Sequence, residues 1–245
     1  MPDDASKSTE EVLKIPGETL AVPPSDDPVA AGLRGFGTLG ILAILVILVA
    51  GNYPFLPLSA ILVLAWTWRS RTPWREIGYV WPRSWIAALV VGITFGIAFK
   101  VLMKAIVMPL LGAPPINQAF HYLAGNRAAL PAAIYAMIVV AGFGEETVFR
   151  GYLFERLGKL FGRGVWAKTL IVLLTSVVFG LGHYSLQGLP GVEQATIFGL
   201  VFGTIMAVTG RIAMLMVAHA AFDLTALAMI YWNLESKVAH LIFDF

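Results

Sequence analysis

Cysteine is absent from the 245 residues, so the chain forms no disulfide, binds no metal through thiolate and offers no cysteine nucleophile. Charge is also scarce: 13% of residues are charged against 58% hydrophobic, and the mean hydropathy is +0.78. That composition does not describe a soluble surface. Acidic residues are scarcest of all beyond the N-terminus. Residues 1–28 hold Asp3, Asp4, Glu10, Glu11, Glu18, Asp26 and Asp27, which leaves only Glu76, Glu145, Glu146, Glu155, Glu193, Asp223, Glu235 and Asp244 in the remainder. Of these, Glu145, Glu146 and Asp223 fall inside or against an apolar run, where a charge is costly and marks function.

Apolar runs make up most of the rest. They cover Phe36–Ala50, Phe55–Trp68, Trp85–Met108, Leu130–Val140 continuing into Ala141–Gly151, Val165–His183, Gln194–Thr209 and Ile212–Trp232. Several approach the ~20 residues that span a bilayer as a helix. The fold expected is an all-α polytopic membrane bundle of about seven to eight transmembrane helices, with residues 109–129 supplying any re-entrant or interfacial addition. Residues 1–30, rich in Pro and acids, read as a disordered acidic cytosolic tail. Residues 31–127 read as N-terminal transmembrane helices, 128–232 as the core that carries the polar motifs, and 233–245 as a C-terminal tail.

Arg69 to Arg83, Arg156 to Lys168 and Arg211 fall on one side of the expected bundle. By the positive-inside rule that side is cytoplasmic, with the N-terminus inside. Gly92 with Gly96 and Gly199 with Gly203 have the small-xxx-small spacing of close helix contacts. Lys100 and Lys104, one turn apart, are expected to snorkel or to pair within the bundle.

Three pairs have helical i, i+4 spacing on separate runs: Glu146 with Arg150, Phe179 with His183, and His219 with Asp223. Counting from the Gly162–Gly164 turn, Glu145 and His183 lie at similar heights on antiparallel helices, which suggests that they meet. Three carboxylates against one arginine leave negative charge that a low-dielectric site must neutralise. A divalent cation or a protonated acid would do so, and both suit hydrolysis. His121 and His240 read as bystanders.

The ordered set E-E-x-x-x-R, F-x-x-x-H and H-x-x-x-D over about residues 128–232 resembles the CAAX protease and bacteriocin-processing family (CPBP, or Abi) of intramembrane endopeptidases. The resemblance implies an all-helical core with a conical cavity and peptide-bond hydrolysis. Carried over by motif, Glu145 with His183 would activate water, His219 with Asp223 would stabilise the oxyanion or share a metal, and Glu146 with Arg150 would support the first pair. A divalent metal such as zinc on Glu145, His183, His219 and Asp223, or a metal-free glutamate mechanism, fits the family. Its prenyl-protein members usually end the last motif in Asn. Asp223 can donate a hydrogen bond only when protonated, which favours a ligand role.

The implied partners are a peptide or lipid-anchored protein substrate and membrane lipids, with no nucleic acid. The implied location is the plasma membrane, multi-pass. A non-catalytic scaffold, a bacteriocin self-immunity protein and an ion-coupled transporter are the competing readings. The transporter fits least, because the polar residues gather after residue 140 rather than in two related halves.

Overall fold

The computed structural model describes residues 27–51 and 57–243. The acidic lead through Asp26 and the start of the second apolar run at Phe55 lie outside the described residues. Every regular element among the described residues is helical.

Helix α1 (Pro28–Arg34) starts at Asp27, whose carboxylate accepts from the Val29 and Ala30 amides at 3.0 and 3.1 Å. It turns by 59° through Gly35–Phe36–Gly37 into α2 (Thr38–Ala50). Helix α3 (Leu58–Arg69) has 12 residues, an axial rise of ~18 Å, against the ~30 Å of a hydrocarbon core. Among the described residues, five helices are long and apolar enough to cross a membrane: α4 (Trp85–Leu110), α5 (Arg127–Phe161), α6 (Val165–Gly182), α7 (Tyr184–Thr209) and α8 (Ala213–Tyr231). The bent α1–α2 pair makes a sixth if taken as one span. Among the described residues, length and composition thus support five or six spans of the seven to eight expected, and the second apolar run begins in residues outside that description. A short α9 (Glu235–Ala239) follows α8.

The glycine pairs do what their spacing predicts. A Cβ on Gly92 would stand 2.8 Å from Val217, and one on Gly96 would press the backbone of Ala218 and Phe222, so α4 lies directly on α8. Gly199 sits against Ser176 and Gly203 against Val172, which closes α6 on α7. Phe99, Phe179, Phe198, Phe202 and Phe222 join these four helices in one buried cluster. Outward side chains such as Leu45, Val49, Val90 and Val178 are exposed, as on a lipid-facing surface.

Two departures from regular helix bear on function. Helix α5 opens as α over Leu130–Tyr135, winds as π over Ala136–Glu145 and again over Thr147–Tyr152, and resumes as α over Leu153–Phe161. Between the apolar runs that end at His183 and begin at Gln194 the chain makes a kinked junction: Gly188, at φ 62 and ψ −157, breaks α7 near its start in a conformation open only to glycine.

Candidate active site

Glu145 and Glu146 sit where the first π segment of α5 gives way to the second. A π turn holds more residues than an α turn, so adjacent side chains rotate less about the axis and two neighbouring acids can face one interior. Gly142, one turn earlier, brings α8 close: a Cβ there would lie 3.0 Å from both the Ala220 side chain and the Met216 carbonyl. That approach sets Glu146 against His219, whose Nδ1 is 2.8 Å from Glu146 Oε1. A carboxylate can only accept, so Nδ1 carries the proton of this bond and the other ring nitrogen is left to the site.

Glu146 is held from its other side by Arg150 Nη1 at 3.1 Å, and the pair is almost wholly shielded, with side-chain exposures of 0% and 1%. The guanidinium lies 4.7 Å from the Phe179 ring centre and 5.5 and 5.8 Å from those of Phe198 and Phe202. Aromatic faces stabilise a desolvated cation, so these rings form a cage around the one arginine of the motif. Phe198 also packs on His219, with ring centres 4.4 Å apart.

His219 Nε2 faces two further carboxylates, Glu145 Oε2 at 3.7 Å and Asp223 Oδ2 at 3.6 Å. These two are the accessible members of the group, at 32% and 27% side-chain exposure against 5% for His219. The structure thus makes an ordered line from Arg150 through Glu146 and His219 to Glu145 and Asp223. His183 stands apart from it. It closes α6, its Nδ1 lies 2.9 Å from the Phe179 carbonyl of its own helix, and its link to Glu145 is a longer-range electrostatic one.

The expected pairings are corrected accordingly. Glu145 comes nearest His219 rather than His183, and Glu146 bridges Arg150 to the last motif instead of supporting only the first. The reason is lateral packing: the π part of α5 lies on α8, whereas α6 lies on α7. His121 and His240 are exposed.

Sequence reasoning missed several contributors. Thr147 Oγ1 is 2.8 Å from the Tyr79 hydroxyl and donates to the Phe143 carbonyl at 2.7 Å, tying the π segment to the loop after α3. Phe198 and Phe202, which carry no polar signal in the sequence, both face the Arg150 guanidinium. Lys100, expected to snorkel or pair, is buried with its Nζ 2.9 Å from Gln194 Oε1 and 4.7 Å from the Phe222 ring centre. Its one sequence signal was a cation within an apolar run. Among the described residues no three His, Asp or Glu side chains stand close enough together to hold a metal ion. Of the four donors expected for a metal, His219 Nε2 faces Glu145 at 3.7 Å and Asp223 at 3.6 Å, whereas His183 Nδ1 is turned to the Phe179 carbonyl of its own helix.

Residues 127–225 match the family described as type II CAAX prenyl endopeptidase Rce1-like. They contain all three motifs. This segment is similar to the CAAX protease family. Neither the curated proteins nor the solved structures include a match to the chain. The family and the run of apolar helices together describe a multi-pass membrane protein of a protease family.

Proposed function

We propose that the chain is an intramembrane endopeptidase that hydrolyses a peptide bond in a membrane-associated peptide or protein, with Glu145 as the base. The observation that carries this reading is the line Arg150–Glu146–His219, which fixes one imidazole with its outer nitrogen facing two accessible carboxylates. A base must reach the proton it takes, and Glu145 is the accessible carboxylate on the motif helix. His183 supports it. A carbonyl only accepts, so His183 Nδ1 donates to Phe179 and Nε2 is left as an acceptor able to steer the water.

In this reading Glu145 removes a proton from water as the oxygen attacks the peptide carbonyl. His219 Nε2–H donates to the developing oxyanion, with Glu146 stabilising the cationic ring. The C–N bond then breaks, and the proton held by Glu145 passes to the leaving amine. Asp223 orients His219 from the far side of Nε2. A base of this kind contributes roughly 10²–10⁴-fold and an oxyanion donor roughly 10²–10³-fold.

The full chain in proteoliposomes, incubated with a membrane-peptide extract, tests the reading by mass spectrometry. Wild type should generate new termini, while Glu145→Ala and His219→Ala should each lose at least about 100-fold in rate with unchanged insertion. Full activity in both variants would remove the assignment.

A further inference from the structure

The two ends of the bundle differ in charge and in how they meet the site. At one end α5 turns into α6, α7 turns into α8, and the loop after α3 joins them. There the Lys168 ammonium donates to the Ala207 carbonyl at 2.8 Å and the Ile212 amide to the Gly78 carbonyl at 3.0 Å. Arg71, Arg75, Arg83, Arg163, Lys168 and Arg211 are all exposed at this end. At the other end Asn117 bonds to Gln187 and Glu235, and the Gly125 amide donates to the Tyr231 carbonyl. The exposed Lys and Arg residues there, among those described, are Arg127 and Lys237. Short loops rich in Lys and Arg are retained in the cytoplasm.

The catalytic line is closed toward the basic end. One turn in that direction from Glu146 is Arg150, one turn from His219 is Leu215, and beyond Phe198 come Phe202 and Met206. These four are 1%, 0%, 0% and 6% exposed. Toward the opposite end the packing opens. Ala226, one turn past Asp223, and Gln194, one turn before Phe198, line a cavity of about 330 Å³ that continues between Ile116, Gln187 and Glu235. His183 stands toward the same end, directly after α6. The partly exposed acids Glu145 and Asp223 are therefore reached from the end that lacks the basic loops.

We propose that the active site opens to the non-cytoplasmic face of the membrane, and that its substrates are segments of exported or membrane-anchored polypeptides presented on that face. Translocation must then come before cleavage, and a protein tail that stays in the cytoplasm does not reach the site. That the bound segment is cleaved rests on the hydrolase reading. The sidedness rests on charge and packing alone.

The chain has no cysteine, so single introduced thiols report without background. Gln118→Cys and Arg163→Cys place one on an exposed residue at each end, and Ala226→Cys places one in the cavity. Sealed right-side-out membrane vesicles carrying the full chain are treated with a charged methanethiosulfonate, before and after permeabilisation. Because a charged reagent does not cross hydrocarbon, Gln118→Cys and Ala226→Cys should react at least about tenfold faster than Arg163→Cys in sealed vesicles. All three thiols should react once the vesicles are opened. In the same vesicles, mass spectrometry should place the peptide termini that wild type produces and Glu145→Gln does not in segments outside the cytoplasm.

Reaction of Arg163→Cys in sealed vesicles with Gln118→Cys protected overturns the sidedness, as does an Ala226→Cys that reacts only after opening. Glu145-dependent termini in cytoplasmic segments overturn the substrate class. The expected labelling in a protein that yields no Glu145-dependent termini would defeat the hydrolase reading and leave the sidedness standing.

Discussion

Glu146 meets Arg150 on one oxygen at 3.1 Å and His219 on the same oxygen at 2.8 Å, with no exposed surface of its own. Glu145, its neighbour in sequence, keeps about a third of its side chain accessible and touches His219 only at 3.7 Å. The two acids should therefore fail differently. Glu146→Gln leaves the Arg150 guanidinium buried beside a neutral amide, and removing one partner of a buried pair costs about 3–5 kcal/mol. Denaturation in detergent should show a loss of that order along with loss of activity. Glu145→Gln should keep the stability of the parent and lose only turnover. Equal stability losses in the two variants would show that the division between support and base is wrong.

The decisive element is α5. A regular α-helix was the reading that periodicity supports, and Glu146 with Arg150 at i, i+4 does survive in the structure. The π winding was not legible, because it reflects the pull of neighbours on the helix: Gly142 against α8 and Thr147 against Tyr79. Gly142→Val should therefore push α8 outward and lengthen the 2.8 Å bond between Glu146 and His219. Activity should fall at least about tenfold in a protein that still inserts, since small misplacements in a catalytic group are that costly. Gly158 is the control. A Cβ there meets nothing within 4 Å, and Gly158→Ala in the last turns of α5 should gain about 0.5–1 kcal/mol by denaturation with activity unchanged.

On the scale of the whole molecule, the helices outside the family segment brace it. Arg156, at the far end of α5, donates to the Arg34 and Gly35 carbonyls at 2.7 and 2.6 Å and stacks on Phe36 and Trp66 at 4.3 and 5.5 Å. It thereby pins the bend between α1 and α2. Glu155 pairs with Lys159 and lies 3.8 Å from Arg156. Arg156→Leu should raise amide exchange across residues 28–50 by at least about tenfold while α6 to α8 stay protected, because local opening follows local contacts. Uniform exchange across the chain would argue that the molecule opens as one unit.

Asp27 supplies a second attachment. The hydrogen bond from Arg69, at 2.7 Å, and that from the Ala30 amide hold its carboxyl down to about 2. Because the folded value is the lower one, its contribution is complete above the ordinary carboxylate range near 3.8 and lost as pH falls through about 2.

The sequence alone determined the all-helical membrane character, the shortlist of buried acids, the glycine pairs that close α4 on α8 and α6 on α7, and the three spaced motifs. Those are properties of composition and of short-range periodicity, which neighbouring residues encode. Only the tertiary structure decided that His219 is the ring at the centre, that His183 turns to its own helix and that Lys100 is buried against Gln194. Such outcomes depend on which helix lies against which, and on how far each is rotated. A residue's spacing along its own helix carries no record of either.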